Sequence, residues 1–198
     1  MNTKQAKRLR EGVRNAYSAA AESPQDTHPF PVGRRFAESL GYSPQWIAGL
    51  PAVAVEAFSG VSNVAVLAAI PVGATVLDLG CGAGLDTLVA ARRTGSQGRV
   101  IGLDFSAARL VRGRQALAET GLGHVALCQA DAECLPVQQQ SIDVAMVNGI
   151  FNLNPARDTI FRELARVVRR GGAVYAAELI LQAPLSAEIQ DSATDWFA

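Results

Sequence analysis

Cysteine is scarce in this chain: three among 198 residues, Cys81, Cys128 and Cys134, with neither a zinc-ligand spacing nor a paired framework. That argues against a disulfide scaffold and a zinc module; no metal site is expected, and a reducing, cytoplasmic setting fits best. Net charge is absent too. Lys+Arg 18 balances Asp+Glu 18, so no positive field draws the chain to DNA or RNA, and no nucleic-acid partner is expected. No stretch reaches the ~18 apolar residues of a membrane span. The basic N-terminus (Lys4, Lys7, Arg8, Arg10 and Arg14 against Glu11) has no apolar signal-peptide core, so it reads as a solvated helix face, and no membrane partner is expected. What the chain does have is apolar bulk. Hydrophobic residues make up 49% of it, enough for a substantial core in a chain of one domain's length, at ~150 residues per domain.

Residues 1–22 read as a helix. Pro24, Pro29, Pro31 and Pro44 make 23–45 a loop-rich bridge with at most short helices. A helix is expected from about Tyr42-Ser43-Pro44 toward Leu50, stopped by Pro51, and the Ala- and Val-rich stretch 52–70 is expected to form another. Strands near 74–79, 99–103, 124–128, 142–147 and 173–180 then alternate with helices near 84–94, 106–120 and 156–169. This βα repeat predicts an α/β fold with a doubly wound, mostly parallel sheet.

The most informative stretch is Val76-Leu77-Asp78-Leu79-Gly80-Cys81-Gly82-Ala83-Gly84. A buried strand runs into a turn with glycine at alternate positions, and a helix follows from Leu85. A strand, a glycine-rich turn and a helix N-terminus form the usual grip of an α/β sheet on a nucleotide-like ligand. The spacing narrows the choice. A dinucleotide fingerprint needs G-x-G-x-x-G, but Leu85 occupies the place of the third glycine, which disfavours a nicotinamide oxidoreductase. Asp104, 26 residues after Asp78, stands near the acidic position that binds ribose hydroxyls, roughly 20 residues past such a loop. A carboxylate suits a vicinal diol because it accepts two hydrogen bonds. Phe105 can lie against an adenine face, and Ser106 is a good N-cap for the next helix.

The D-x-G-x-G-x-G pattern resembles motif I of the class I S-adenosylmethionine-dependent methyltransferases. Further blocks agree in order: Ala130-Asp131-Ala132-Glu133-Cys134-Leu135-Pro136 resembles the family's "xADAExLP". Ser141 to Asn148 resembles its fourth strand, and Phe161 to Gly172 its "fxElxRVLkpGG". The resemblance implies a Rossmann-like fold and S-adenosylmethionine as cofactor, with S-adenosylhomocysteine as product. It implies cofactor contacts at Asp78, Gly80, Cys81, Gly82 and Gly84 (methionine part), Asp104 and Phe105 (ribose and adenine), Asp131 and Ala132 (adenine), and Asn148 at the fourth-strand end. It divides the chain into an N-terminal region, 1–70, that covers the active site; a cofactor-binding domain, 71–182; and an incomplete segment, 183–198. The family's sheet has seven strands, and the last two have no candidate here. A fragment of a longer protein, or a partner covering the fifth-strand edge, is therefore expected.

One branch fits more of the chain. Gly41-Tyr42-Ser43 matches the "GYSxEelaxlP" of the arsenite methyltransferases, and Asn148 to Arg157 resembles their "NCVINLSPDK". In that family thiolates hold trivalent arsenic, a soft centre. Here Val61 and Gly149 stand at two of the cysteine positions, so arsenite is not carried over, although the resemblance is arsenite methyltransferase-like. The expectation is a methyltransferase acting on an unidentified small molecule, the acceptor pocket drawing on Tyr17, Val61, Gly149 and Asn152. A quinone-type C-methyltransferase and a non-catalytic binding module are the alternatives. No catalytic residue is assigned; Asp86 and Asp143 are read as helix-capping or solvated.

Overall fold

The structure, a computed structural model, describes residues 3–180; the expected C-terminal segment lies outside them. Five strands, β1 (Thr75–Leu79), β2 (Arg99–Asp104), β3 (Val125–Gln129), β4 (Ile142–Asn148) and β5 (Val168–Ala177), form one sheet in the order β3-β2-β1-β4-β5. Every neighbouring pair is parallel, so each connection must cross over a face of the sheet.

Alternation along the strands sorts the core into two layers. Val76, Val144 and Met146 face one side, packed with α6 (Leu85–Thr94) and the short helices α2 (Arg34–Ser39), α3 (Pro44–Ile47), α4 (Ala52–Glu56) and α5 (Val64–Leu67). Leu77, Leu79, Ala145 and Val147 face the other side, against Ile160 and Leu164 of α8 (Arg157–Val167). Helix α6 is the central one: its residues from Leu85 to Ala91 are all buried. Helix α7 (Ala107–Thr120) starts at Ser106, whose Oγ accepts the Arg109 N–H, and α1 (Thr3–Glu22) lies alongside it.

Three expected elements are corrected. The stretch 52–70 is not one helix but α4 and α5, separated by a loop. The Val61 and Ser62 N–H groups donate to the Asn148 side chain, so they are bonded across the fold instead of along a helix. The helix expected to reach Leu50 ends at Ile47, before Gly49 at φ 67°. Strand β5 runs from Val168 to Ala177, earlier than expected at both ends, and its pairing with β4 shifts register between Ile142 and Val144. Among the described residues no strand pairs with the outer edge of β5. No helix among them is long and apolar enough to cross a membrane.

Candidate functional site

The order of the strands makes a crevice. From β1 the chain crosses to β2 on one side, and β4 lies on the other, so the loops after these strands diverge at their carboxyl ends. Ligands of open α/β sheets bind at such a switch point. A cavity opens there, walled by Gly80 and Cys81 after β1, Asp104 and Phe105 at the end of β2, Ala130, Asp131 and Ala132 after β3, and Asn148 and Gly149 at the end of β4. Arg10, Val13 and Tyr17 close it from above. Their spacing puts them on one face of α1.

Asp104 is held firmly. Its Oδ2 accepts the Gly82 N–H at 2.9 Å and its Oδ1 the Ser106 N–H at 2.8 Å. Each carboxylate oxygen keeps a further lone pair for a ligand hydroxyl. The Gly80 and Cys81 N–H groups both donate to the Leu103 carbonyl, tying the glycine turn to β2. Asp131 and Glu133 form ion pairs with Arg10 of α1. The basic N-terminus is therefore partly a bridge and not only a solvated face.

Not every predicted residue lines this cavity. Gly82, Gly84, Val61 and Asn152 do not; Gly84 caps α6, and Asn152 donates to the Leu179 carbonyl. Asp78 is also off the wall, buried behind the turn, where it accepts the Thr87 hydroxyl at 2.5 Å. Asn148 lines the cavity but has its amide spent. Its Oδ1 accepts the Val61 and Ser62 N–H groups, and its Nδ2 donates to the Ser62 carbonyl and to Asp86. It clamps a loop and has no spare group to orient an acceptor. Tyr17 stacks on Phe30 at 4.2 Å between centroids and lines the cavity as well.

The reading of Asp86 is overturned. It is 6% exposed and accepts from the Tyr42 hydroxyl, the Ala65 N–H and Asn148. Asp143 caps no helix either: it lies in β4, where it accepts the Thr75 N–H and pairs with Arg169. Arg109 escaped the sequence reading, Arg10 was read only as part of a solvated face, and Tyr42 only as part of a motif. Their partners lie far along the chain, so spacing carries no trace of them. Asp86 did leave a trace: it stands in the first turn of α6 beside an apolar run from Leu88 to Ala91, and a carboxylate buried there needs partners.

Burial sets the protonation states. It is the main cause raising the Cys81 thiol, aided by Asp104 and Asp78, and it also raises the Tyr17 hydroxyl. Both groups stay neutral near pH 7. The Asp78 carboxyl is pushed up to about 8, by burial first and then by Asp86 beside it. The folded chain thus keeps a proton that the unfolded chain releases near ~3.9. The resulting contribution to stability is complete in acid and lost as pH rises through about 8. Asp78→Asn fixes the neutral form. Its stability relative to wild type is therefore expected to rise from about pH 5 to about pH 8 in urea denaturation, and a constant difference contradicts the assignment.

Residues 70–197 match the family described as "Methyltransferase domain". The chain belongs to that family. With this sheet and glycine turn it has the Rossmann-like fold of the class I methyltransferases, whose cofactor is S-adenosylmethionine. An arsenite methyltransferase of Halobacterium salinarum is 33% identical over 153 residues, 77% of this chain and 39% of that protein. A demethylmenaquinone methyltransferase of Lactococcus lactis is 34% identical over 106 residues, 54% of this chain and 42% of that one. The crystal structure of an arsenic (III) S-adenosylmethionine methyltransferase from Chlamydomonas reinhardtii superposes with a TM-score of 0.67 at 28% identity, covering 74% of this chain and 51% of that one. The chain thus spans about two fifths of the length of these curated relatives.

The cavity fits the family's cofactor. A Cβ on Gly80 would stand 2.5 Å from Ile150 Cγ2, so the turn takes only glycine at this wall. Asp104, Phe105 and Asp131 add a carboxylate, an aromatic ring and a second carboxylate to the wall, acceptor and stacking chemistry that suits a nucleoside.

Proposed function

We propose that the chain supports methyl transfer from S-adenosylmethionine to a small-molecule acceptor. The observation behind this is that one cavity gathers Gly80, Cys81, Asp104, Phe105, Asp131 and Ala132. In this reading Asp104 accepts the ribose hydroxyls, Phe105 and Ala132 flank the adenine, and Asp131 takes its amino group by exchanging with Arg10. When bound, the cofactor supplies an electrophilic methyl group on a positive sulfur. The protein's task is to align an acceptor with it and exclude water, since in-line displacement depends on alignment. Val13 and Tyr17 line the cavity from the α1 side, where they would help to exclude water.

The carboxylates on the wall are already engaged: Asp86 accepts from Tyr42, the Ala65 N–H and Asn148, Asp104 from two backbone amides, and Asp131 pairs with Arg10. Burial keeps Tyr17 and Cys81 protonated, and the Asn148 amide is fully engaged. This favours an acceptor with its own lone pair over one needing deprotonation. Quinone C-methylation, the second reading, rests on likeness of the cofactor region and would need one of these engaged carboxylates to be released as a base.

Arsenite is the acceptor named for two relatives, and the replaced cysteine positions argue against it here. They lie side by side: a Cβ on Gly149 would stand 3.0 Å from Val61 Cγ1. The pair is where two thiolates would meet, yet it holds no sulfur. Gly149 has φ 75°, so a cysteine there would also strain the backbone. Cys128 and Cys134 are exposed and do not line the cavity. A thiol-dependent arsenite assay with labelled S-adenosylmethionine tests this: no transfer is expected from the unmodified chain, and turnover would refute the exclusion. A reducing cytosol is the proposed setting.

A further inference from the structure

Arg109 is a cation facing the cavity with no carboxylate of its own. Its Nη2 donates to the neutral Ser59 hydroxyl at 3.0 Å, and its Cζ lies 5.1 Å from the centre of the Tyr17 ring. Among the described residues no acidic side chain reaches ion-pair distance of it. Arg10, the other arginine on the wall, is paired twice. The two oxygens of Asp104 are turned to the Gly82 and Ser106 amides. A guanidinium has five N–H donors in a planar fork suited to a carboxylate, and among the described residues one side-chain hydrogen bond, to Ser59, engages it.

The same guanidinium sits close against the glycine turn. A Cβ on Gly82, where φ is 57°, would come within 2.8 Å of Arg109 Cζ and 2.9 Å of its Nε. Gly82 therefore makes room for Arg109. From this we infer that Arg109 is the carboxylate-binding residue of the cavity, and that the carboxylate belongs to the amino-acid end of the cofactor. The inference rests on the S-adenosylmethionine reading above. With adenine against Phe105 and Ala132 and ribose on Asp104, the amino-acid arm is left to follow the glycine turn, where the guanidinium stands. A half-buried cation served only by a hydroxyl and a ring is poorly compensated, and a ligand carboxylate would complete it.

Calorimetric titration with two probes tests this: S-adenosylhomocysteine, and 5′-methylthioadenosine, which keeps the nucleoside and thioether but has no amino-acid end. Arg109→Gln is expected to weaken S-adenosylhomocysteine by about tenfold or more, the scale of a charge-assisted pair, and to leave 5′-methylthioadenosine within about twofold. Arg109→Lys keeps the charge without the fork and is expected to fall between; it also carries the test if the glutamine variant melts early. Equal weakening of both probes, or of neither, overturns the cofactor assignment and leaves Arg109 as an internal counter-charge to Asp104. Benzoate titrated onto the wild type loaded with S-adenosylhomocysteine separates the sources. If Arg109→Gln abolishes benzoate binding but spares both nucleosides, the carboxylate belongs to the acceptor and the cofactor assignment fails. A wild type that binds neither nucleoside refutes the S-adenosylmethionine reading itself.

Discussion

Asp104→Ala is expected to weaken S-adenosylhomocysteine binding by about 1.5–3 kcal/mol, roughly 10- to 100-fold, the range for losing charge-assisted hydrogen bonds. Two effects act together. The ribose hydroxyls lose their acceptor, and the Gly82 and Ser106 N–H groups lose theirs. The glycine turn would then be freed at one anchor, although the bonds from Gly80 and Cys81 to the Leu103 carbonyl remain. Asp104→Asn keeps the shape but presents an N–H group to one of the two amides, so it should recover little. Calorimetry on both variants checks this; affinity within about twofold of wild type would remove Asp104 from the ribose site.

Asp86→Ala is expected to cost about 3–5 kcal/mol of folding stability, because it strands several buried donors at once. Tyr42 is wholly buried, and its hydroxyl, the Ala65 N–H and Asn148 Nδ2 all donate to this one carboxyl. The damage should spread, since Asn148 in turn holds the Val61 and Ser62 N–H groups. The loop bearing Val61 is thus braced from α6 through β4. Urea denaturation reads the loss, and a change below about 1 kcal/mol would mean that these donors find other partners.

The fold was legible because its signals are local. Alternating apolar runs, Ser106 as a cap and the glycine turn place β1, β2, α6 and α7 within a residue or two. The stretch 52–70 failed because its composition suits a helix, while the competing acceptor, Asn148, lies far along the chain. Of the candidate site, only part of the cavity wall was legible. Asp104, Phe105, Asp131 and Ala132 stand at strand ends, where topology alone brings them to one crevice. Asp78 was misplaced because its side chain turns to Thr87 behind the loop, a choice made by packing. Arg10 and Arg109 could not be read, since a helix face gives no sign of which distant loop it will meet.

A crystal structure of the chain with S-adenosylhomocysteine is the most direct measurement. The account predicts the nucleoside in the crevice beyond β1 and β4, ribose on Asp104, the ring between Phe105 and Ala132, and its carboxylate toward Arg109. A nucleoside seated elsewhere, with Asp104 still turned only to its two backbone amides, would contradict it.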